Sequence, residues 1–374
     1  QYFGLENEKN TVGNRIGSYV TNMDFSQGIK ANLNAPFRII YSREARKKIR
    51  AVLDDFQPDV VHLNNIQYHL TPSIILEINK WRKETKKECK IVYTTHDYQL
   101  VCPSHGMFDV NMKPCERCLD GHYIHCFQTK CLKNSRAKSL LGTLDGYMWK
   151  YSKAYSYVDV YICCSYFLKS KLDTQKRFRD KTIGLHNFKK EMPHLDNIQK
   201  KGYVLEFGHL SRDKGTDTLL EVAKKMPNTE FVFIGYGPSV DKMKDIPNVK
   251  YLGFKTGEEL YRIIAEAAIS VCPSEWYENC PYSVMESVLL GTPVVGSKMG
   301  GIPELIEPGK TGELFEAGNV EDLMKAIKKV LQTQDVLERY TKNCSQVKYE
   351  TTESYYIKLM KIYRGEKNVE QISS

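Results

Sequence analysis

Tyr203-Val204-Leu205-Glu206-Phe207-Gly208-His209-Leu210-Ser211-Arg212-Asp213-Lys214-Gly215-Thr216 is an apolar run that stops at a glycine, a polar loop, and then the start of a helix. A short β-prone run followed at once by a turn and a helical stretch is one unit of a parallel sheet with crossover helices. The unit recurs downstream, with strands expected over 230–235, 249–253, 269–271 and 293–296. Upstream, Asp59-Val60-Val61-His62-Leu63, Lys90-Ile91-Val92-Tyr93-Thr94, Asp159-Val160-Tyr161-Ile162-Cys163 and Thr182-Ile183-Gly184-Leu185 read as buried parallel strands. Helical spacing covers 42–56 and 165–178, the second with Ser165 as its N-cap. The fold class is α/β: two doubly wound, Rossmann-like domains in tandem. Such sheets bind ligands beyond the C-terminal ends of their strands, so two facing domains enclose a cleft.

The boundaries lie where periodicity fails. Residues 1–190 form the expected N-terminal domain, 189–201 a polar linker, and 202–345 the C-terminal domain. The tail, 346–374, carries a Tyr-rich helix over 349–363 that is expected to return to the first domain. Residues 102–138 are rich in Cys, Lys and Gly without a clear period, and read as an insertion or long ordered loop.

A chain of 374 residues, 41% hydrophobic and 26% charged, has the size and composition of two globular domains. No apolar run approaches the roughly 18 residues of a membrane span. The N-terminus has neither the basic and apolar stretches of a signal peptide nor an initiator Met, so the natural chain is expected to start earlier. A formal charge of +9 fits nucleic acid, an anionic membrane or anionic small substrates. The lysines are scattered, and no helix-turn-helix, RRM or finger pattern supports nucleic acid. A peripheral protein working on phosphorylated substrates at an anionic membrane surface fits better. The eleven cysteines are not spread as a secreted disulfide framework, which implies reduced thiols and a cytoplasmic location.

Two stretches carry the chemistry. In the opening loop Gly208 permits backbone approach to a ligand, Arg212 offers a fork to phosphate oxygens and Lys214 a point charge. Downstream, Pro273-Ser274-Glu275-Trp276-Tyr277-Glu278-Asn279-Cys280-Pro281-Tyr282-Ser283-Val284-Met285-Glu286 follows a strand, and Pro281 favours a helix start. Glu278 is then in the loop before the helix and Glu286 about a turn and a half inside. First-turn amides facing the cleft would favour an anionic phosphate.

In this order the two stretches resemble the donor loop and Glu-x7-Glu signature of the retaining GT-B glycosyltransferases of family 4, glycosyl transferases group 1. The resemblance is close over 202–331 and looser from 24 to 188. It implies a GT-B fold with an acceptor-side N-terminal domain and a C-terminal domain that binds a nucleotide-sugar donor. Glu286 would hold the ribose and Glu278 the donor sugar and its phosphates. Asn279, Cys280 and Pro281 would line the sugar, with Gly208, Arg212 and Lys214 at the diphosphate. Phe254, in Leu252-Gly253-Phe254, lies where the family reads the base. UDP-sugars are the favoured donors, with GDP-sugars possible. The acceptor would be a glycan or a polyprenyl-phosphate-linked saccharide in cell-surface polysaccharide assembly at the inner membrane face.

In the first domain, His96 of Thr94-Thr95-His96-Asp97-Tyr98 ends a strand at the cleft and is a candidate catalytic residue, orienting the acceptor or bonding the donor sugar. His62 and Asn64-Asn65-Ile66-Gln67-Tyr68-His69 are expected along the acceptor side. No Asp-x-Asp occurs, so charge neutralisation falls to Arg212, Lys214 and a helix N-terminus, with no catalytic metal or other cofactor expected. Cys115, Cys118, Cys126 and Cys131 have spacings that can supply four thiolates to a structural zinc, with Cys102, His122 and His125 as substitutes; free thiols are the alternative. Similar enzymes begin with a strand and a Gly-Gly loop; this sequence opens at the following strand, so the first βα unit is expected either to precede it or to be absent from an atypical protein. Two other functions remain open on these residues: a sugar-nucleotide binding module without turnover, and a sugar-nucleotide epimerase. A Rossmann dehydrogenase is disfavoured, since Gly235-Tyr236-Gly237 lacks the third glycine.

Overall fold

A computed structural model describes residues 1–22 and 35–366. In chain order the N-terminal half contains α1 (Ala35–Ile40), α2 (Arg43–Phe56), β1 (Val60–Asn64), α3 (Ser73–Thr85), β2 (Lys90–Thr95), α4 (Ile124–Thr129), α5 (Arg136–Tyr151), β3 (Val160–Cys163), α6 (Tyr166–Leu172), α7 (Lys176–Arg179) and β4 (Thr182–Gly184). The second half contains β5 (Val204–His209), α8 (Thr216–Lys225), β6 (Phe231–Tyr236), β7 (Val249–Tyr251), α9 (Gly257–Glu266), β8 (Ile269–Cys272), α10 (Tyr282–Leu289), β9 (Val294–Ser297), β10 (Gly312–Phe315), α11 (Val320–Val330), α12 (Gln334–Cys344) and α13 (Thr352–Arg364).

Every strand pair is parallel. The first sheet has the order β1-β2-β3-β4, and the second β10-β9-β8-β5-β6-β7. In the second sheet, successive strands step away from β5 as far as β7. The chain then returns to β5's other side with β8, so β5 and β8 flank the point where strand order reverses. Both faces are covered. Val204, Phe231, Phe233 and Ile269 pack with α8 and α11, while Leu205, Val232 and Ile234 pack with Ile264 of α9. The period-2 pattern of a strand delivers alternate residues to the two layers.

Residues 185–203 form no helix or strand. After α12 the chain crosses back, and α13 lies on the first sheet. Ile362 is buried with Val92, Ile162 and Leu185. Tyr363 Oη lies 2.6 Å from His62 Nδ1, and Lys90 Nζ donates to the Tyr363 carbonyl at 2.8 Å. The opposite face of that sheet buries Ile91, Tyr93 and Tyr161 among Ile49, Leu53, Ile78 and Trp81 of α2 and α3. No helix among the described residues is long and apolar enough to cross a membrane.

The aperiodic stretch 102–138 is compact and partly helical. It contains α4, and α5 begins within it with Ser135 as N-cap. Gly142 and Gly146 suit α5 to this packing: a Cβ on either would fall 2.4 Å from Leu132 or 2.8 Å from the Tyr123 ring. Since α13 buries Ile362 against the centre of the first sheet, Ile362→Ala should lower the unfolding free energy by about 2–5 kcal/mol. Urea melts read this directly, and an unchanged midpoint would mean that α13 is not part of that core.

Candidate active site

Strands β5 and β8 lie side by side, with Val204 opposite Ile269 and Leu205 opposite Ser270. The loops leaving their C-terminal ends therefore meet. Gly215, at φ +78°, makes the approach possible: a Cβ there would lie 1.9 Å from the Pro273 carbonyl oxygen. Glu275 N donates to Asp213 O at 2.9 Å, joining the two loops through their backbones.

The meeting point is the carboxylate of Glu278. Its Oε1 accepts from Lys214 Nζ at 2.5 Å, Trp276 Nε1 at 2.8 Å and Ser274 Oγ at 3.3 Å. The Lys214 ammonium also stands 4.4 Å from the centre of the Trp276 ring, a cation–π contact. Behind this loop, Gly301 N donates to Glu278 O at 2.7 Å. Added Cβ atoms at Gly300 and Gly301 would lie 2.0 and 1.8 Å from the Glu278 and Asn279 carbonyl oxygens. Pro281 then caps α10. Pro281 and Tyr282 border the cleft, so the partially positive end of α10 is in its wall.

The first domain closes the other side. Asn279 Nδ2 donates to His96 O at 2.8 Å, Ser165 Oγ lies 3.5 Å from Asn279 Oδ1, and Tyr98 Oη donates to Glu278 O at 3.4 Å. Glu304 reaches across and accepts from Tyr166 N, Phe167 N and His186 Nε2 at 2.8, 2.6 and 2.7 Å, meeting the open amides at the start of α6. Between the domains is a cavity of about 270 Å³, lined by His96, Asp97, His105, Trp276, Glu278, Asn279, Cys280 and Pro281 among others. His96 Nε2 lies 3.2 Å from Asn64 Oδ1; loss of solvation lowers its pKa, with Asp97 opposing, so the imidazole is biased to its neutral form. Burial raises the Cys280 thiol to about 12, so it lines the cavity as an uncharged group.

His96, Glu278, Asn279, Cys280, Pro281 and, through its ion pair, Lys214 are thus brought together. Arg212, Gly208 and Phe254 stand apart from the cavity, exposed along the rim of the second sheet. Phe254 packs edge-on against Tyr236, which meets His209 likewise, giving an exposed aromatic row at the ends of β5 to β7. Glu286 is in α10, where its carboxylate pairs with Lys189. His62 does not line the cleft: its ring bonds Tyr363 and Thr94 Oγ1, and burial depresses its pKa to about 4.

The expected zinc cluster is not assembled. Among the described residues no three His, Cys, Asp or Glu side chains are gathered as a metal-holding group. Cys126 and Cys131 face one another with sulfurs 2.8 Å apart, and Cys115 lies outside the apolar cluster that holds Cys118, Tyr123, Cys126, Cys131 and Leu132.

Several side chains at the site have no individual signal in the sequence. Trp276 is inside the quoted motif, but nothing marks its indole as a partner of Glu278. Lys189 belongs to a polar linker in which any lysine looks solvated. Glu206, in the middle of β5, is almost wholly buried; its Oε1 accepts from Thr216 Oγ1 at 2.8 Å and its Oε2 has no partner.

Two Rossmann-like domains facing across such a cleft are the GT-B fold. HepE of Anabaena, solved in complex with UDP, superposes with a TM-score of 0.62 over 86% of this chain and 82% of that one, at 16% identity. Residues 187–347 match the family model of glycosyl transferases group 1. The chain is 33% identical over 146 residues to the sulfoquinovosyl transferase SQD2 of Arabidopsis thaliana, covering 37% of this chain and 28% of that one. It is 30% identical over 166 residues to the amylovoran biosynthesis glycosyltransferase AmsK of Erwinia amylovora, covering 40% and 41%. The chain thus spans less than half the length of these two curated relatives.

Burial raises the Glu206 carboxyl from 4.5 to about 8, so it is protonated in the folded protein across the neutral range. The unfolded chain loses that proton near 4.5 and the native state only near 8. In this window the native state binds more protons, and the group's contribution to stability falls as pH rises. Glu206→Gln should remove this slope and exceed the wild type in stability at pH 8 and above. Urea titrations of both proteins at pH 5, 7 and 9 test it; parallel pH profiles would show that Glu206 is not held neutral.

Proposed function

We propose that the protein is a glycosyltransferase that moves a sugar, with retention, from a nucleoside-diphosphate sugar to a glycan or polyprenyl-phosphate-linked acceptor in cell-surface polysaccharide assembly. The observation that carries this reading is the convergence of Lys214 and Glu278 where the strand order reverses, beside a cavity walled by both domains. In the reaction the bond between the anomeric carbon and the phosphate oxygen breaks. The acceptor hydroxyl bonds to that carbon, and its proton passes to the departing diphosphate on the same face.

The leaving group is a diphosphate, so catalysis needs positive charge that becomes more effective as the bond breaks. Lys214 supplies it, held in place by Glu278 and the Trp276 ring. Arg212, exposed on the same loop, adds a second cation, and the start of α10 a partial one. This set supports a metal-independent transfer. His96, neutral and on the cavity wall, would orient the acceptor hydroxyl or bond the donor sugar. Glu286 would bind the ribose through the oxygen that Lys189 leaves open. The row of His209, Tyr236 and Phe254 offers the base an apolar face. UDP is the favoured nucleotide: HepE has been solved with UDP and with UDP-glucose. AmsK, by its name, serves amylovoran biosynthesis, which supports a polysaccharide setting. A cytoplasmic protein peripheral to the inner membrane face is the matching location.

A thermal-shift panel of UDP-, GDP-, dTDP- and ADP-sugars should single out one base. A ligand at 100 times its Kd adds about 2.7 kcal/mol to native stability. No shift with any of them removes the donor-site reading. Glu278→Gln should reduce turnover more than nucleotide affinity, and EDTA should leave transfer intact. Loss of transfer in EDTA with rescue by Mg²⁺ or Mn²⁺ would contradict the metal-free mechanism. Wild-type nucleotide binding without transfer or donor hydrolysis would mark a binding module.

A further inference from the structure

Helix α5 has two apolar faces: one is buried, and the other is largely exposed except at Tyr147, whose ring packs edge-on against Tyr123. Its inner face buries Ser139, Thr143 and Trp149, with the Trp149 ring stacked 6.0 Å from that of Tyr41. Leu140, Leu144, Tyr147 and Tyr151, spaced by four, three and four residues, form a single stripe on another face. Leu140 is 44% exposed, Leu144 53% and Tyr151 74%. Ile124 of α4, 39% exposed, extends the stripe sideways, its N–H meeting Tyr147 Oη at 3.3 Å. A surface helix ordinarily turns polar residues outward, so a continuous apolar stripe there marks an interaction surface.

The surroundings identify the partner. Residues 121–158 contain six lysines and arginines and a single acidic residue, Asp145. Asp145 accepts from Trp149 Nε1 at 2.9 Å, and burial raises its pKa to about 7. The side chains of Lys130, Lys133, Arg136, Lys138 and Lys153 form no ion pair among the described residues. We propose that the outer face of α5 and the adjoining Ile124 form a docking surface for an anionic phospholipid bilayer. The apolar stripe enters the interface, and the surrounding cations meet the headgroups. A second copy of the chain is a poorer occupant, since a symmetric contact would press the two cationic borders together.

The surface also has a place in the proposed reaction. The segment that ends in α4 also carries Glu116, which accepts from Tyr277 Oη at 3.0 Å at the cleft. One insertion therefore reaches both the bilayer surface and the donor loop. This link to a lipid-linked acceptor rests on the function proposed above. Vesicle binding is measured without donor or acceptor, so its outcome is separate from that of transfer.

The test is co-sedimentation of the full chain at low salt with vesicles of phosphatidylglycerol and phosphatidylcholine, against phosphatidylcholine alone. The wild type should sediment with the anionic vesicles only and be released by salt. Lys133→Ala combined with Arg136→Ala should weaken partitioning about 25-fold, roughly fivefold for each cation removed. Leu144→Glu should abolish it without lowering the melting temperature; should that variant misfold, the cation variant decides. A wild type that stays in the supernatant, or a cation variant that binds as the wild type does, overturns the proposal. So does a dimer that Leu144→Glu dissociates in a protein that ignores vesicles.

Discussion

One carboxylate oxygen organises the cleft. Glu278 Oε1 collects an ammonium, an indole N–H and a hydroxyl, and the three donors come from both loops that leave the strand-order reversal. Hydrogen bonds to a charged group are worth about 1.5–3 kcal/mol each, so this cluster fixes Lys214 more firmly than a surface ion pair would. Preorganisation matters because a flexible lysine would have to be ordered at the moment of bond cleavage. The neighbouring glycines follow from the same constraint. Gly215 lets the loops touch, and Gly300 and Gly301 let the chain pass directly behind Glu278 and Asn279.

The first domain is held to this centre by a shared apolar cluster and by polar contacts. Asn279 bonds the backbone of His96, and Glu304 satisfies the open amides of α6 while pairing with His186. These contacts join the Glu278 loop, the cavity wall and the first sheet into one connected network. Lys189 extends it to the chain crossing: its side chain pairs with Glu286 and its backbone N–H meets Glu350 O at 2.9 Å. A ligand on Glu286 would therefore act on the connection between the domains as well as on the proposed donor site.

The strands were legible because β-prone runs beside glycine turns have few other uses. Gly208, Gly215 and Gly235 mark three sites where a side chain would be strained, and they punctuate the pattern at the ends of β5 and β6 and at the start of α8. The pairing of Lys214 with Glu278 was not legible, since 64 residues separate them and only the adjacency of β5 and β8 brings them together. Helix α5 escaped notice because Gly142 and Gly146 lower helix propensity, and their close packing becomes visible only in three dimensions. The cysteine spacing points to zinc, but spacing alone does not say which side chains converge: Cys126 and Cys131 face one another, while Cys115 lies outside the cluster around Tyr123.

The central claim, that Lys214 is placed to hold the β-phosphate of a bound nucleoside diphosphate, is tested most directly by calorimetric titration of uridine, UMP and UDP into the wild type and Lys214→Ala. The account predicts a gain in affinity from UMP to UDP in the wild type that largely disappears in the variant, with uridine bound equally by both. Equal affinities of the wild type for UMP and UDP, or the same gain in the variant, would contradict it.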